Sequence, residues 1–173
     1  RVAGGHRFDT SGFGLFCEGL AKNKSVTKLD LCKTHLPTSA IRQLGVALCV
    51  NSTLQDVDLR FNFITEDGSR ILGEALQVNA SINVLGVGKC IVPVDKLRGA
   101  GDDHNLALNM RRSHLHVGGV CVVAGMIARS KNVTSLDLSG NNMHPEGTSA
   151  VALALQTNRS LHTLVLRDNT LGV

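Results

Sequence analysis

The chain repeats itself at a fixed distance. Asn23, Asn51 and Asn79 recur with a 28-residue period, and each begins a stretch that reads Asn-x-Ser/Thr-apolar-x-x-apolar-x-apolar. Self-similarity at a period of this size is the signature of a stacked-repeat protein. A single unit of such a protein cannot bury its own apolar face, so each unit packs on its neighbours. The spacing therefore predicts a solenoid whose function lies on a surface.

Each unit begins with a strand and a turn. The aligned segments contain two apolar residues separated by one position, as in Leu29/Leu31, Val57/Leu59 and Leu136/Leu138. This alternation is typical of a strand with both apolar side chains pointing inward. After the strand comes a position for an inward, hydrogen-bonding turn residue. The residues at that position include Asn62, Cys90, Asn141 and Asn169.

Between the strands the apolar pattern becomes helical. Leu72, Ala75 and Leu76 fall on one face of a helix, and the preceding copy repeats this arrangement. In that copy the corresponding residues are Ile41, Leu44, Ala47 and Leu48. Each unit is therefore predicted to be strand, turn, helix, which makes the chain an α/β protein.

The aligned units follow the pattern L-x-x-L-x-L-x-x-N/C-x-L. Together with a full helix in each unit and the ending Ala-Leu-x-x-Asn-x-Ser at 75–81, they resemble the ribonuclease-inhibitor type of leucine-rich repeat. NOD-like receptors, tropomodulin-like proteins and the GTPase activator of Ran share this type. The resemblance covers nearly the whole chain. It implies a solenoid in a horseshoe arc, with a parallel β-sheet on the concave face and helices on the convex face.

We expect one leucine-rich-repeat domain over residues 1–173, as a fragment of a longer protein. The last repeat lacks a polar cap, so its uncapped end could associate with another copy. The predicted repeats are roughly 1–24 (partial, helix only), 25–52, 53–80, 81–101 (short), 102–131 (irregular), 132–159 and 160–173 (partial).

One interval breaks the period. Leu85 and Leu136 are separated by a 51-residue gap, where the 28-residue period is expected. A half-matching strand, Leu106-Ala107-Leu108, divides this gap into a 21-residue and a 30-residue interval and makes one repeat short. The alternative is a loop of roughly 23 residues inserted into one repeat, which costs little chain entropy at a surface. The sequence favours the short repeat and leaves the loop open.

The cysteines, sequons and uncharged stretches indicate the cellular compartment of the chain. The five cysteines show no repeated spacing and no CxxC, which favours free thiols in the cytoplasm. Five Asn-x-Ser/Thr sequons occur, but four coincide with the unit's own ending, so we do not expect glycosylation. The longest uncharged stretch near the middle, 117–128, is too short to span a bilayer. His114, His116 and Cys121 lack a suitably spaced fourth ligand, so no metal and no cofactor are expected.

The net charge is +4, and much of the basic surplus lies in the irregular region. Because no aromatic residue is interleaved in the sequence with these basic residues, no nucleic-acid partner is expected. No catalytic motif is present, and the chain is predicted not to be an enzyme. The resemblance to the Ran GTPase activator leaves an alternative, a GTPase-activating module using Arg60 or Arg167. A structural component of a cytoskeletal or ciliary assembly is a second alternative.

The strand face and the adjacent turns are the predicted site for a protein partner. Val84, Gly86 and Gly88 form a bare floor there, open to a partner's backbone. Phe61 and Phe63 flank the inward Asn62 at positions that are polar or small in most other copies, which is typical of an interaction hot spot. The predicted protein-binding residues are Lys28, Asp30, Asp56, Asp58, Arg60, Phe61, Phe63, Lys89, Asp137 and Arg167. The partner itself cannot be read from the sequence.

Overall fold

The structure is a computed structural model that describes residues 10–99 and 105–172, in which strands alternate with helices. The first nine residues of the predicted helix-only repeat 1–24 lie outside the described residues. The strands are β1 (Lys28–Asp30), β2 (Asp56–Asp58), β3 (Val84–Val87), β4 (Cys90–Pro93), β5 (Leu106–Asn109), β6 (Val133–Asp137) and β7 (Thr163–Val165). The helices are α1 (Thr10–Lys22), α2 (Thr38–Val50), α3 (Glu66–Val78), α4 (Val94–Leu97), α5 (His116–Ile127) and α6 (His144–Thr157).

The longer helices form one uninterrupted row. α1 packs on α2, α2 on α3, α3 on α5, and α5 on α6. The predicted apolar faces are inside, because Leu44, Leu72 and Ala75 are fully buried against the strands and the neighbouring helices. A single core of aliphatic side chains therefore runs between the helix row and the strands. No helix in the described part of the chain is both long and apolar enough to cross a membrane.

The strands, by contrast, form two sheets. β1, β2 and β3 pair in parallel, and β4 adds to β3 in the antiparallel direction. β5, β6 and β7 form a second, parallel sheet. The prediction of one continuous parallel sheet is wrong at this point, because the chain reverses at Gly88 and Lys89. Gly88 has φ +59°, which a two-residue hairpin with glycine at its first position requires.

The residue pairing also sets the register of the interrupted interval. Leu108 lies opposite Leu136, as Leu136 lies opposite Leu164. The 51-residue gap is therefore divided into a 23-residue and a 28-residue interval, and the predicted division into 21 plus 30 is wrong by two. The inward pair of β5 is Leu108 and Met110, both buried. Leu106-Ala107-Leu108 has the same leucine spacing as the regular units, which is why the sequence predicted Leu106 as the first strand leucine.

The interrupted unit replaces a full helix with the β3–β4 hairpin and the four-residue helix α4. Arg98 follows α4 and ties this segment to the regular part of the fold. Its guanidinium donates to the carbonyl of Leu76 at 2.8 Å and to that of Ile82 at 2.6 Å. Burial lowers the pKa of the Arg98 side chain. Arg98 is therefore a structural clamp, although its place in the irregular, basic region of the sequence does not reveal this role.

The asparagines that mark the 28-residue period tie each helix end to the preceding unit. Asn79 is buried, and its Oδ1 accepts hydrogen bonds from the backbone N–H groups two and three residues ahead. Its Nδ2 donates to the carbonyls of Leu48 and Asn51, both at 2.8 Å. Asn51 and Asn158 make the equivalent bonds at their own helix ends. A glycan on any of these amides would displace buried hydrogen bonds.

Ser130 holds this position at the end of α5. Its Oγ accepts from the backbone N–H groups of Asn132 and Val133 at 3.4 and 3.3 Å. A single hydroxyl cannot also donate to two carbonyls of the preceding unit as an asparagine amide does. The backward link is therefore weaker at the unit that follows the interruption.

Candidate protein-binding surface

The first sheet presents two rows of side chains on its exposed face. Paired residues place Lys28, Asp56 and Val84 in one row and Asp30, Asp58 and Gly86 in the other. Since β4 pairs with β3, Pro93 and Ile91 extend these rows. The face thus passes from a charged half on β1 and β2 to an apolar half on β3 and β4. The charged half contains four of the residues predicted to bind a partner: Lys28, Asp30, Asp56 and Asp58.

Asp58 and Arg60 form a bidentate ion pair over Gly86. Arg60 Nη2 lies 2.7 Å from Asp58 Oδ2, and Nε lies 3.0 Å from each carboxylate oxygen. The side-chain hydrogen bond from Arg60 lowers the pKa of Asp58. Gly86 is buried beneath these two side chains. The predicted bare floor at this position is therefore wrong, and Arg60 would have to leave Asp58 to reach a GTPase.

The strand-end aspartates also have a local structural role. The Oδ1 atoms of Asp30, Asp58 and Asp137 each accept a hydrogen bond from the backbone N–H two residues ahead, at 2.9, 2.9 and 2.8 Å. Asn109 does the same at 3.1 Å. Such Asx turns stabilise the bend after the strand. The signal in the sequence is an Asp or Asn at the last position of the strand, which by itself predicts only a polar residue on the exposed face.

The second sheet carries a different face, with few charges. Its exposed positions are held mainly by small or neutral residues, which are Ala107, Asn109, Ser135, Thr163 and Val165. The neighbouring Ser139, whose backbone N–H donates to Asp137 Oδ1 at 2.8 Å, lowers the pKa of Asp137. Arg167 follows β7 and is exposed. Asp137 and Arg167 are thus on the sheet that does not contain Lys28 to Arg60.

Phe61 occupies an unusual backbone conformation in the turn after β2. Its φ is +59°, the left-handed region that a bulky residue rarely adopts, and its side chain is 42% exposed. The Lys33 ammonium lies 5.0 Å from the centre of the ring, in a cation–π contact. The same turn position holds Lys33, Arg112 and Asp168, with φ of +58°, +51° and +55°, and Gly140, with φ +68°. The left-handed conformation therefore belongs to the turn, and Phe61 differs from the other units in its aromatic side chain.

Phe63 begins a chain of contacts that crosses from the first sheet to the second. Its side chain is 73% exposed, and its ring centre lies 6.4 Å from that of His116. His116 lies 6.3 Å from His114 in an edge-on contact, and His114 Nε2 lies 2.9 Å from Lys89 Nζ. We call Lys33, Phe61, Phe63, Lys89, His114 and His116 the turn-edge strip.

The turn-edge strip contains three residues that the sequence did not single out for protein binding: Lys33, His114 and His116. His114 and His116 are far from Phe63 along the chain and reach it only because α5 packs directly on α3. Aromatic residues are therefore close to the basic region in the folded chain, although none is interleaved with it in the sequence. Only the fold brings these groups together, so residue spacing could not have revealed the strip.

A groove of about 450 Å³ opens beside Phe63. It follows the beginnings of α3, α5 and α6, and Phe63, Val117 and Pro145 supply its apolar lining. Glu66 and Glu146 lie in the same lining. The groove is open to solvent, so it can receive a side chain of a partner.

Three potential metal ligands approach one another on the first sheet. One ligand atom from each of Asp30, Cys32 and Asp58 lies within 4.8 Å of the others. The Asp58 carboxylate is already held by Arg60 on both oxygens. Because the adjacent guanidinium occupies this carboxylate, the geometry does not favour a cation here, and the cluster belongs to the charged half of the strand face.

Comparison with known proteins supports the resemblance. Residues 129–152 match the family described as Leucine Rich repeat. Human NACHT, LRR and PYD domains-containing protein 13 is 27% identical over 94% of this chain and 14% of its own length. Human leucine-rich repeat-containing protein 73 is 27% identical over 97% and 48%. Pig ribonuclease inhibitor is 26% identical over 98% and 39%. The chain thus spans less than half the length of these relatives.

Among solved structures, the C-terminal domain of tropomodulin from Caenorhabditis elegans is similar with a TM-score of 0.44 and 13% identity. The match covers 91% of this chain and 82% of that one. Strand-turn-helix units, the family match and the named relatives agree with one another. They confirm that this chain resembles the leucine-rich-repeat proteins, ribonuclease inhibitor among them, and has an α/β leucine-rich-repeat fold.

Proposed function

We propose that this chain is a non-enzymatic interaction module that binds a protein partner through the exposed face of its first sheet and the turn-edge strip. The relatives are leucine-rich-repeat proteins, which supports the general class of function. We also propose the horseshoe arc and a cytoplasmic location. None of the five cysteines is in a disulfide, which supports a reducing compartment.

The single observation that carries the proposal is the exposed ring of Phe61 in a left-handed turn. Lys33, Arg112 and Asp168 share this backbone conformation at the same position of other units, but their exposed side chains are charged and are solvated by water. Phe61 places an aromatic ring there, and it is 42% exposed. Because a ring at this position adds little to the core, a partner that buries it accounts for it best.

The surroundings of Phe61 fit an interface. Phe63 is even more exposed, and aromatic residues with nearby cationic groups are the usual composition of interaction hot spots. The charged half of the strand face lies next to them, with Lys28, Asp30 and Asp56 free of the ion pair that holds Asp58. Mixed charge around an aromatic centre favours selection of one partner over others.

The test is an affinity pull-down from a cell extract followed by quantitative mass spectrometry, using the full chain and two variants. Phe61→Gly removes the ring and suits the backbone. Phe16→Ala is a matched control, because Phe16 on α1 is also 42% exposed. We expect a partner that is retained by the wild type and by Phe16→Ala and is lost from Phe61→Gly. Equal recovery of every partner by all three proteins would contradict the proposal.

A further inference from the structure

We infer that the turn-edge strip receives an acidic, extended segment of the partner, with one apolar side chain seated in the groove beside Phe63. This inference rests on the proposed function, because it names the chemistry of the partner at that surface. Three features of the strip carry it: a basic end whose lysine forms no ion pair with the described residues, an apolar end, and the distance between them.

The basic end is formed by Lys89 and His114. Their side chains approach to 2.9 Å, and both residues are exposed. Within the described residues, no ion pair involves Lys89. Arg111 and Arg112 follow β5 nearby and are also exposed. A carboxylate arriving from a partner would therefore find cationic donors that the chain's own acids do not occupy.

The apolar end is the groove of about 450 Å³. Phe63 stands at its edge with 73% of its side chain exposed, and Val117 and Pro145 line it. A pocket of this size accepts one large apolar side chain, and burying such a side chain is favourable because it removes apolar surface from water.

The distance between the ends limits the spacing in the partner. The ring centres of Phe63 and His116 are 6.4 Å apart, and those of His116 and His114 are 6.3 Å apart. An extended chain rises about 3.3 Å per residue, so at most about four residues span the path from Phe63 to His114. The acidic residue and the apolar residue of the partner are therefore within about four positions of each other.

Two acidic residues argue against a nucleic acid as the occupant. Glu66 and Glu146 line the groove next to the aromatic side chains that would otherwise stack on bases. A phosphate chain carries charge at every nucleotide and would meet these carboxylates, whereas a peptide can place its carboxylate at Lys89 and a neutral side chain in the groove.

A phage-displayed library of random dodecapeptides, selected on the full chain, tests this inference. We expect enriched peptides with Asp or Glu within about four positions of Leu, Ile or Phe. A fluorescent peptide with that consensus should bind Lys89→Glu about fivefold or more weakly, because the variant replaces attraction with repulsion. Lys131→Glu makes the same charge change at an exposed lysine outside the strip, and it should bind as the wild type does.

The outcomes separate this inference from the proposed function. A basic or uncharged consensus, or equal binding by Lys89→Glu and the wild type, overturns the acidic segment. Stronger binding of oligothymidylate than of the consensus peptide, weakened by Lys89→Glu, assigns the strip to nucleic acid instead. If Phe61→Gly loses the cellular partner while Lys89→Glu keeps it, the proposed function stands and the inference fails. If both variants keep it, both are wrong.

Discussion

The row of helices and the row of strands respond differently to the same short interval. Leu85 and Leu108 are separated by a 23-residue interval in place of a 28-residue one. The helix row absorbs the loss, because α5 packs on α3 as α3 packs on α2. The strand row does not, and an antiparallel hairpin separates two sheets. Helices contact one another through side chains and tolerate a missing member, whereas strands need hydrogen bonds in register.

The largest effect is expected where the helix row closes over the missing helix. Gly118 on α5 faces the backbone carbonyl of Ile64, and a Cβ at this position would overlap that oxygen. We expect Gly118→Ala to lower the free energy of unfolding by about 3 kcal/mol, measured by urea denaturation.

The control is Gly125→Ala in the same helix. Apart from its chain neighbours and its own helix backbone, no atom lies within 4 Å of a Cβ added at Gly125, so this variant should unfold at the same denaturant concentration or a higher one. Similar denaturation of the two variants would mean that α5 does not pack closely on the loop before α3.

The second prediction compares a regular helix end with the one after the interruption. Asn79→Ala leaves two carbonyls and two N–H groups without this side chain, and we expect a loss of about 3 kcal/mol in unfolding free energy. Ser130→Ala removes two longer hydrogen bonds, at 3.3 and 3.4 Å, and should cost about 1 kcal/mol. Thermal and urea denaturation would compare them. A Ser130 variant as unstable as the Asn79 variant would show that both ends are equally linked.

The third prediction tests the clamp that holds the interrupted unit. Arg98→Met keeps the apolar stem and removes the donors to Leu76 and Ile82, so we expect a loss of about 2 kcal/mol. Arg129→Met is the control, since Arg129 lines the same small cavity. Hydrogen exchange should show faster opening of 83–99 in Arg98→Met alone. Equal exchange rates of 83–99 in both variants would show that Arg98 does not hold this segment in place.

The fourth prediction concerns the same turn in the two sheets. Phe61→Gly should be more stable than Phe61→Ala by about 1 kcal/mol, because alanine at φ +59° is strained and glycine is not. Gly140→Ala in the second sheet should lose at least as much, since its Cβ would also meet the stem of Arg112. Urea denaturation gives both differences. A Phe61→Ala variant as stable as Phe61→Gly would mean that this turn is not left-handed in solution.

The smallest expected effect is a change in the pKa of one carboxylate, Asp58, without a change in that of another, Asp137. Arg60→Met should raise the pKa of Asp58, whose largest influence is the Arg60 hydrogen bond, and leave that of Asp137 unchanged, because Ser139 dominates there. Both folded pKa values are below the ordinary one. The stability they contribute is therefore complete above about pH 4 and is lost as the pH falls through the folded values. Carboxyl NMR titration of the wild type and the variant measures these shifts. A rise in pKa at both aspartates would show that the sheets are electrically coupled.

The sequence predicted what depends on local pattern. The 28-residue period identified strand-turn-helix units, and the apolar faces of α2 and α3 are buried as expected. It did not predict the hairpin, because Gly88-Lys89 could be read either as a strand end or as a turn. It also missed that Asp58 and Arg60 cover Gly86. That arrangement depends on how the side chains of one strand lie over the neighbouring strand, which cannot be predicted from the sequence of either strand.

The candidate surface shows the same division. Phe61 and Phe63 stood out because they depart from the repeat, and the structure leaves them exposed. Their role in binding stays a prediction. His114 and His116 could not be assigned to the same surface, since their approach to Phe63 depends on α5 taking the place of a helix that is absent.

The helix-end asparagines have a consequence for how such a chain can change in length. Each amide makes its bonds at fixed offsets, 28 and 31 residues back and two and three residues forward. A duplication or deletion of one whole unit preserves every offset and leaves all partners in place. Insertion or deletion of part of a unit changes the offsets, so other side chains must supply the lost hydrogen bonds. Insertion or deletion of a whole unit, by contrast, keeps all of these hydrogen bonds. The 23-residue interval does not, and Arg98 supplies hydrogen bonds in that segment instead.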